Sequence, residues 1–188
     1  MIGGSELRKG VVIELNDKLY QVVEYQHIKM KRTALAKVKL RDIVGGHTIE
    51  QSFQSGDKFV RARLDYRPVQ YIYQDGGLYY FMDQETFEQL PLGTDALGDT
   101  VDYLKEGITL EMSSYKEKFI GIELPITVEL EVTKTEPGFR GDTANAGTKP
   151  ATLETGLSIL VPLFVNEGDV IKVDTRTGSY LERVNVQP

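Results

Sequence analysis

A chain of 188 residues has room for one or two average domains, or three very small ones. It contains no cysteine, which excludes disulfides, thiolate metal sites and cysteine nucleophiles, and fits a reducing cytosol. The net charge of −6 is unevenly spread: residues 1–64 carry 12 Lys/Arg against 7 Asp/Glu, residues 65–128 carry 4 against 12, and residues 129–188 carry 6 against 9. An acidic protein with one basic end is oriented by a polyanion rather than coated by it. No apolar run approaches the ~20 residues of a membrane helix. The start, Met1-Ile2-Gly3-Gly4-Ser5-Glu6, lacks the basic and apolar parts of a signal peptide. A soluble cytoplasmic protein with no membrane partner is expected.

The periodicity is that of short strands almost throughout. Val11 to Leu15 and Leu19 to Tyr25 flank Asn16-Asp17-Lys18, a hairpin signal. Val38 to Arg41 alternates apolar with basic residues, and Thr48 to Phe53 reads as a further strand after Gly45-Gly46. Together these predict a small barrel of about five strands over residues 1–64. A second, acidic unit over 65–127 starts around Arg67-Pro68. In it Val69 to Tyr73 and Leu78 to Met82 flank Gln74-Asp75-Gly76-Gly77, again a hairpin. Thr86 to Leu90 is expected to continue as strand. Asp95 to Leu104 is the best helix, with Ala96, Leu97, Val101 and Leu104 on its apolar side. Ile108 to Met112 and Lys118 to Leu124 add strands. Val128 to Val132 opens a third unit over 128–188, which continues through Leu157 to Val165, Val170 to Val173 and Tyr180 to Val186, with Thr175-Arg176-Thr177-Gly178 as the last turn. Pro162 within a strand points to an edge or a bulge. The second and third units share length and strand rhythm, and both suit five-stranded barrels of the oligonucleotide-binding type. Each unit of about 60 residues is marginal alone, and the short apolar link Leu124-Pro125-Ile126-Thr127 predicts that the last two bury surface against each other.

The sharpest candidate for chemistry is Lys29-Met30-Lys31-Arg32-Thr33-Ala34-Leu35-Ala36-Lys37. No acid occurs between Glu24 and Asp42, while Lys29, Lys31, Arg32, Lys37, Lys39 and Arg41 are basic and His27 stands beside them. A strand going out and one coming back would place the central cations at a hairpin tip. A projecting cationic tip meets phosphate, because each neutralised phosphate releases counterions. A solvated charged loop explains the same composition equally well.

Enzyme chemistry is hard to build. Only His27 and His47 exist, neither marked as a base beside a nucleophile, and no phosphate-binding loop with Gly-Lys-Ser/Thr occurs. Asp95, Asp99, Asp102 and Glu106 have helical spacing, but an exposed acidic face is the commoner outcome than a metal site. Glu129 and Glu131 share a strand face that should meet solvent. Tyr71, Tyr73, Tyr79 and Tyr80 could stack bases, but the acidity of their unit favours core and rim roles. No cofactor is expected.

The stretch Lys149 to Asp169 carries a recognisable pattern. It has Lys149, Ala151 two on, Gly156 five after that, then an apolar run that contains Val161-Pro162 and leads to Gly168. This resembles the signature of bacterial translation elongation factor P. The resemblance implies an all-β protein of three small β-barrel domains, an N-terminal SH3-like, KOW-type barrel followed by two OB-fold barrels in an elongated, L-shaped arrangement. It implies a monomeric, non-enzymatic translation factor. Such a factor binds the 70S ribosome, its ribosomal RNA and peptidyl-tRNA, and stimulates peptide-bond formation at consecutive prolines. Aligning His27-Ile28-Lys29 with the family's His-Val-Lys places Arg32 on the tip position, where the family often carries a modified Lys or Arg. Arg32 is then the peptidyl-tRNA contact and a site for an arginine glycosyltransferase that adds rhamnose. The family commonly reads Pro-Gly before the tip and Gly after it, whereas Met30, Lys31 and Thr33 stand here. Lys31 is therefore the fallback tip, with a modification of the lysine kind. The resemblance further implies RNA contacts by His27, Lys29, Lys31, Lys37, Lys39, Arg41, Tyr180 and Arg183. Gly141, Asp142 and Thr143 match a loop that approaches the small subunit near the codon. Three alternatives stay open: a paralogue of the family with a different stalling preference, a general single-strand nucleic-acid binder, and a carbohydrate-binding or enzymatic barrel.

Overall fold

The computed structural model describes residues 1–29, 34–138 and 147–184; of Lys29 and Ala34 it describes the strand positions. The chain divides into two compact units, Met1–Asp65 with Ser113–Ile120, and Tyr66–Met112 with Gly121–Pro188.

The first unit is built on a six-stranded sheet. Its strands are β1 (Ile2–Gly3), β2 (Val12–Leu15), β3 (Lys18–Lys29), β4 (Ala34–Asp42), β5 (Thr48–Gln54) and β6 (Lys58–Arg61), in the order β1-β6-β2-β3-β4-β5. Asn16 and Asp17 both have positive φ (51° and 60°), and Leu15 pairs directly with Lys18. The reversal is thus a two-residue turn of the twisted type that hairpins favour, and Lys18 belongs to the strand. Ile13, Val22, Val38 and Leu40 have no exposed surface and pack with Leu7, Val11, Tyr20, Ala36 and Phe59. Lys116 and Glu117 make a second left-handed pair (51° and 65°) at the turn in Ser113–Ile120. There Tyr115 Oη and Lys116 Nζ both donate to Glu14 Oε2, at 3.0 and 3.2 Å.

Two five-stranded sheets follow. β7 (Asp65–Asp75), β8 (Leu78–Asp83), β9 (Gln89–Gly93), β10 (Thr109–Tyr115) and β11 (Lys118–Glu123) run in the order β11-β10-β7-β8-β9. Phe81, fully buried, lies against Tyr71, which also meets Tyr79. Tyr73 stacks on Tyr80 with centroids 4.6 Å apart, at the rim. These are the core and rim roles that the acidity of the segment favoured. β12 (Thr127–Thr135), β13 (Thr148–Leu153), β14 (Ser158–Pro162), β15 (Val170–Asp174) and β16 (Ser179–Arg183) run in the order β14-β13-β12-β15-β16. β14 also comes to lie beside β16, so the two edges of this curved sheet approach each other. Pro162 ends β14, where a missing donor costs least. Val128, Leu130 and Val132 point inward while Glu129 and Glu131 face solvent.

Two expectations are corrected. Asp95 to Leu104 is not one helix: α1 (Thr94–Leu97) gives way to a 3₁₀ helix, Gly98–Tyr103, and Ala96 is exposed. Gly98 has φ of 52° and ψ of −134°, a conformation that ends an α-helix and that glycine alone adopts without strain. The 3₁₀ segment turns Tyr103 into the third core, with Val128, Leu130 and Val173. Lys105 reaches Glu154 at 2.9 Å. The last two segments thus bury surface against each other within one unit, as their short link predicts. The second correction concerns Thr86 to Glu88, which do not continue a strand but form the reversal between β8 and β9.

Candidate nucleic-acid interface

The first unit carries its cations on the β3–β4 hairpin, whose strands stay paired from Tyr20 opposite Asp42 to Lys29 opposite Ala34. Alternation along β4 sends Ala36, Val38 and Leu40 into the core and turns Lys37, Lys39 and Arg41 outward. A bulge between Val22 and Glu24 resets β3, so that Tyr25 faces Val38 and Gln26 faces Lys37. His27 therefore shares the face of Ala36, opposite to that of Lys37, and is nevertheless exposed. The hairpin thus displays Lys37, Lys39 and Arg41 on one face and the His27 imidazole on the other. Arg32, Lys31 and their neighbours Met30 and Thr33 lie outside the described residues, as do Gly141, Asp142 and Thr143.

The cations are not equally available. Lys37 Nζ sits 2.8 Å from Glu50 on β5, and Lys39 donates to both carboxylate oxygens of Glu24 at 3.1 Å. The bond from Lys37 holds the Glu50 carboxyl below its usual range, and Glu50 in turn raises the Lys37 ammonium. Arg41 and His27 make no ion pair among the described residues.

In the second unit, Tyr180 and Arg183 lie on β16. Tyr180 is half-buried and packs against the third core. Arg183 reaches Asp169 at 3.5 Å, and its guanidinium stands 5.6 Å from the ring centroid of Phe164. Phe164 is 57% exposed, and the reading of the sequence assigned it no role. Its only signal was a large aromatic two residues past Pro162, where the strand has already ended. Lys149, the first residue of the signature, is buried and donates to the Glu136 carbonyl at 2.6 Å. It joins the chain just past β12 to β13.

A cavity of about 570 Å³ in the first unit is lined by Glu14, Lys18, Asp42, His47, Tyr115 and Lys116, among others. Asp42 is buried, and the Gly45 and Val44 amides hold its carboxyl below the usual range against the effect of burial. His47 Nδ1 lies 3.7 Å from Asp42 Oδ2, beyond hydrogen-bond length. No serine, threonine or cysteine lines the cavity, and the one hydroxyl there, Tyr115 Oη, donates to Glu14. The arrangement is a paired set of charges rather than a base poised on a nucleophile. No group of acidic and histidine side chains fit to hold a metal occurs among the described residues, and no helix there is long and apolar enough to cross a membrane.

Family models place all of this in context. The elongation factor P KOW-like domain matches residues 4–59, the elongation factor P OB domain matches 64–122, and the elongation factor P C-terminal model matches 128–183. Proteins called elongation factor P from Acetivibrio thermocellus and Ruminiclostridium cellulolyticum are 54% and 50% identical to the chain, over 98% of it and 100% of each of them. The chain belongs to the elongation factor P family. Membership makes it a translation elongation factor, and the all-β class with a KOW-like barrel followed by OB-type barrels is as the sequence implied. A solved structure titled eukaryotic translation initiation factor 5A from Methanococcus jannaschii is 20% identical, with a TM-score of 0.51 over 64% of this chain and 94% of that one. At that identity it shares the fold with this elongation factor P family member.

Proposed function

We propose that the protein binds the bacterial ribosome next to peptidyl-tRNA and speeds peptide-bond formation at consecutive prolines. The observation that carries this reading is the match to the family over nearly the whole chain. The basic hairpin of the first unit supports it, because a narrow two-stranded arm with Lys37, Lys39 and Arg41 along one face suits a phosphate-lined cavity. Proline is a poor acceptor because its ring restricts approach. The factor supplies no acid or base. It holds the end of the peptidyl-tRNA through Arg32, or through Lys31 in its place, so that the donor ester stays in attack geometry, which is catalysis by positioning. Arginine serves because its planar guanidinium forks to phosphate and stacks on bases.

In this reading residues 1–64 form the tip-bearing domain, 65–127 an acidic spacer that avoids generic RNA binding, and 128–188 the domain that meets tRNA and the small subunit. His27, Lys29, Lys37, Lys39 and Arg41 contact ribosomal RNA or tRNA, Tyr180 and Arg183 contact tRNA, and Gly141, Asp142 and Thr143 approach the codon. The protein works as a cytoplasmic monomer, and Arg32 is the substrate of an arginine glycosyltransferase.

The test is Arg32→Ala in a reconstituted translation assay. Pro-Pro bond formation should slow about tenfold or more, since misplacing a reactant by about 1 Å costs on the order of 10²-fold, while the circular dichroism spectrum stays unchanged. A variant that works at the wild-type rate refutes the tip assignment. Intact mass of protein from its native host should show one deoxyhexose, localised to Arg32.

A further inference from the structure

The turn between β8 and β9 is held from several sides. Asp83 N donates to Glu88 O at 2.9 Å, and Phe87 N donates to Asp83 O at 2.8 Å. The buried Asp83 carboxylate accepts from the Glu85 and Thr86 amides at 2.8 and 3.1 Å and faces Arg67 at 3.8 Å. Gln84 N donates to Pro68 O at 3.0 Å and Gln84 Nε2 to Thr109 Oγ1 at 3.3 Å. This framework puts Phe87 at φ of 60°, a left-handed position that suits glycine and that a bulky side chain rarely occupies. Phe87 is 71% exposed, more than any other aromatic residue described. An aromatic ring gains nothing from folding there, so neither burial nor backbone preference explains it. Strain held by its surroundings is characteristic of sites that engage a partner.

The surroundings of the ring indicate which partner. Glu85 and Glu88 are exposed on either side of it, and their carboxylates make no ion pair among the described residues. The segment 65–128 that carries the turn holds 12 acids against 4 Lys/Arg. Phosphate is repelled from such a surface, whereas an apolar socket rimmed by Lys and Arg complements it. A rigid aromatic anchor inside a charged rim has the build of a binding hot spot.

We propose that the Asp83–Glu88 turn is a docking knob for a basic protein surface on the translating ribosome, with Phe87 as the anchor and Glu85 and Glu88 as its rim. The inference rests on the ribosome-binding reading above and adds a protein contact to it. Because the turn is fixed in the free protein, little ordering is needed on docking.

The experiment uses the full chain and purified ribosomes carrying peptidyl-tRNA paused at consecutive prolines. Phe87→Gly should weaken binding about tenfold or more, as loss of an anchor does. Its melting temperature should stay equal or rise, because glycine relieves the strain. A merely structural role for the ring predicts a lower melting temperature instead. Phe87→Ala, which keeps the strain and loses the ring, should bind as weakly. Glu85→Lys with Glu88→Lys should weaken binding further, and a photo-reactive benzoylphenylalanine at position 87 should crosslink to a basic ribosomal protein. The proposal is overturned if Phe87→Gly binds as wild type, if the lysine pair tightens binding, or if the adduct forms on RNA. Wild-type protein that fails to bind these ribosomes sinks the functional reading and the docking knob together. Wild-type binding with unchanged variants sinks the knob alone.

Discussion

Replacing Glu50 by Gln should strengthen binding to the ribosome, although it adds no new contact. Lys37 lies 2.8 Å from Glu50, and both side chains are about half exposed. A phosphate that approaches Lys37 must compete with that carboxylate, so Lys37 contributes less than a free cation. The glutamine side chain would keep the shape and remove the competing charge. Each phosphate neutralised on a single strand or duplex adds about 0.7 to 0.9 to the slope of log affinity against log salt. Over a fourfold change of salt, one such contact is therefore worth about threefold in affinity. Titrating labelled protein against ribosomes with peptidyl-tRNA at 50 to 200 mM salt reads this directly, those concentrations being about the range over which the effect is usually resolved. Glu50→Gln should steepen the slope by up to about one contact and tighten binding most at the lowest salt. Lys37→Ala should matter little in the wild-type chain and more in the Glu50→Gln background. Unchanged slope and affinity in Glu50→Gln would show that the outward face of β4 does not meet phosphate.

Tyr103→Ala should destabilise the second unit by about 3 kcal/mol or more, in line with removal of other buried aromatic rings, because Tyr103 is 9% exposed within the third core. Urea unfolding checks it, and a loss below about 1 kcal/mol would mean the site collapses around the gap. The Asp174 carboxyl is held down to about 2, first by the side-chain bonds from Arg176 at 2.7 and 3.1 Å and then by its amide. A carboxyl whose folded value lies below its unfolded one, about 3.9, stabilises the fold above that unfolded value and ceases to do so as pH falls toward 2. The gap in urea midpoint between wild type and Asp174→Asn should thus be widest above about pH 4 and close as pH falls toward 2. A gap that stays constant across that range would place the effect elsewhere.

Local chemistry was the legible part of this fold. Asn16-Asp17 and Gly76-Gly77 announced their turns because few other residues accept the backbone those turns need. Thr86 to Glu88 misled because nothing in an aromatic flanked by acids reports a left-handed backbone. The split at Gly98 was hidden for a related reason: the three-residue spacing of Val101 and Leu104 suits a 3₁₀ turn as well as an α-helix. In the candidate site, the cations could be read off the sequence, but their partners could not. Glu24 and Lys39 are brought together only by the register of β3 on β4. Glu14 meets Tyr115 and Lys116 from about a hundred residues away in the chain. The role of Phe164 likewise appears only once β16 carries Arg183 across its ring.

The way β14 ends beside β16 has a consequence for life in a crowded cell. Open sheet margins offer unpaired amide and carbonyl groups to any stray extended peptide. Here β14 runs alongside β16 and stops at Pro162, whose nitrogen has no hydrogen to give. At that end of the strand a stray extended chain finds no amide to bind.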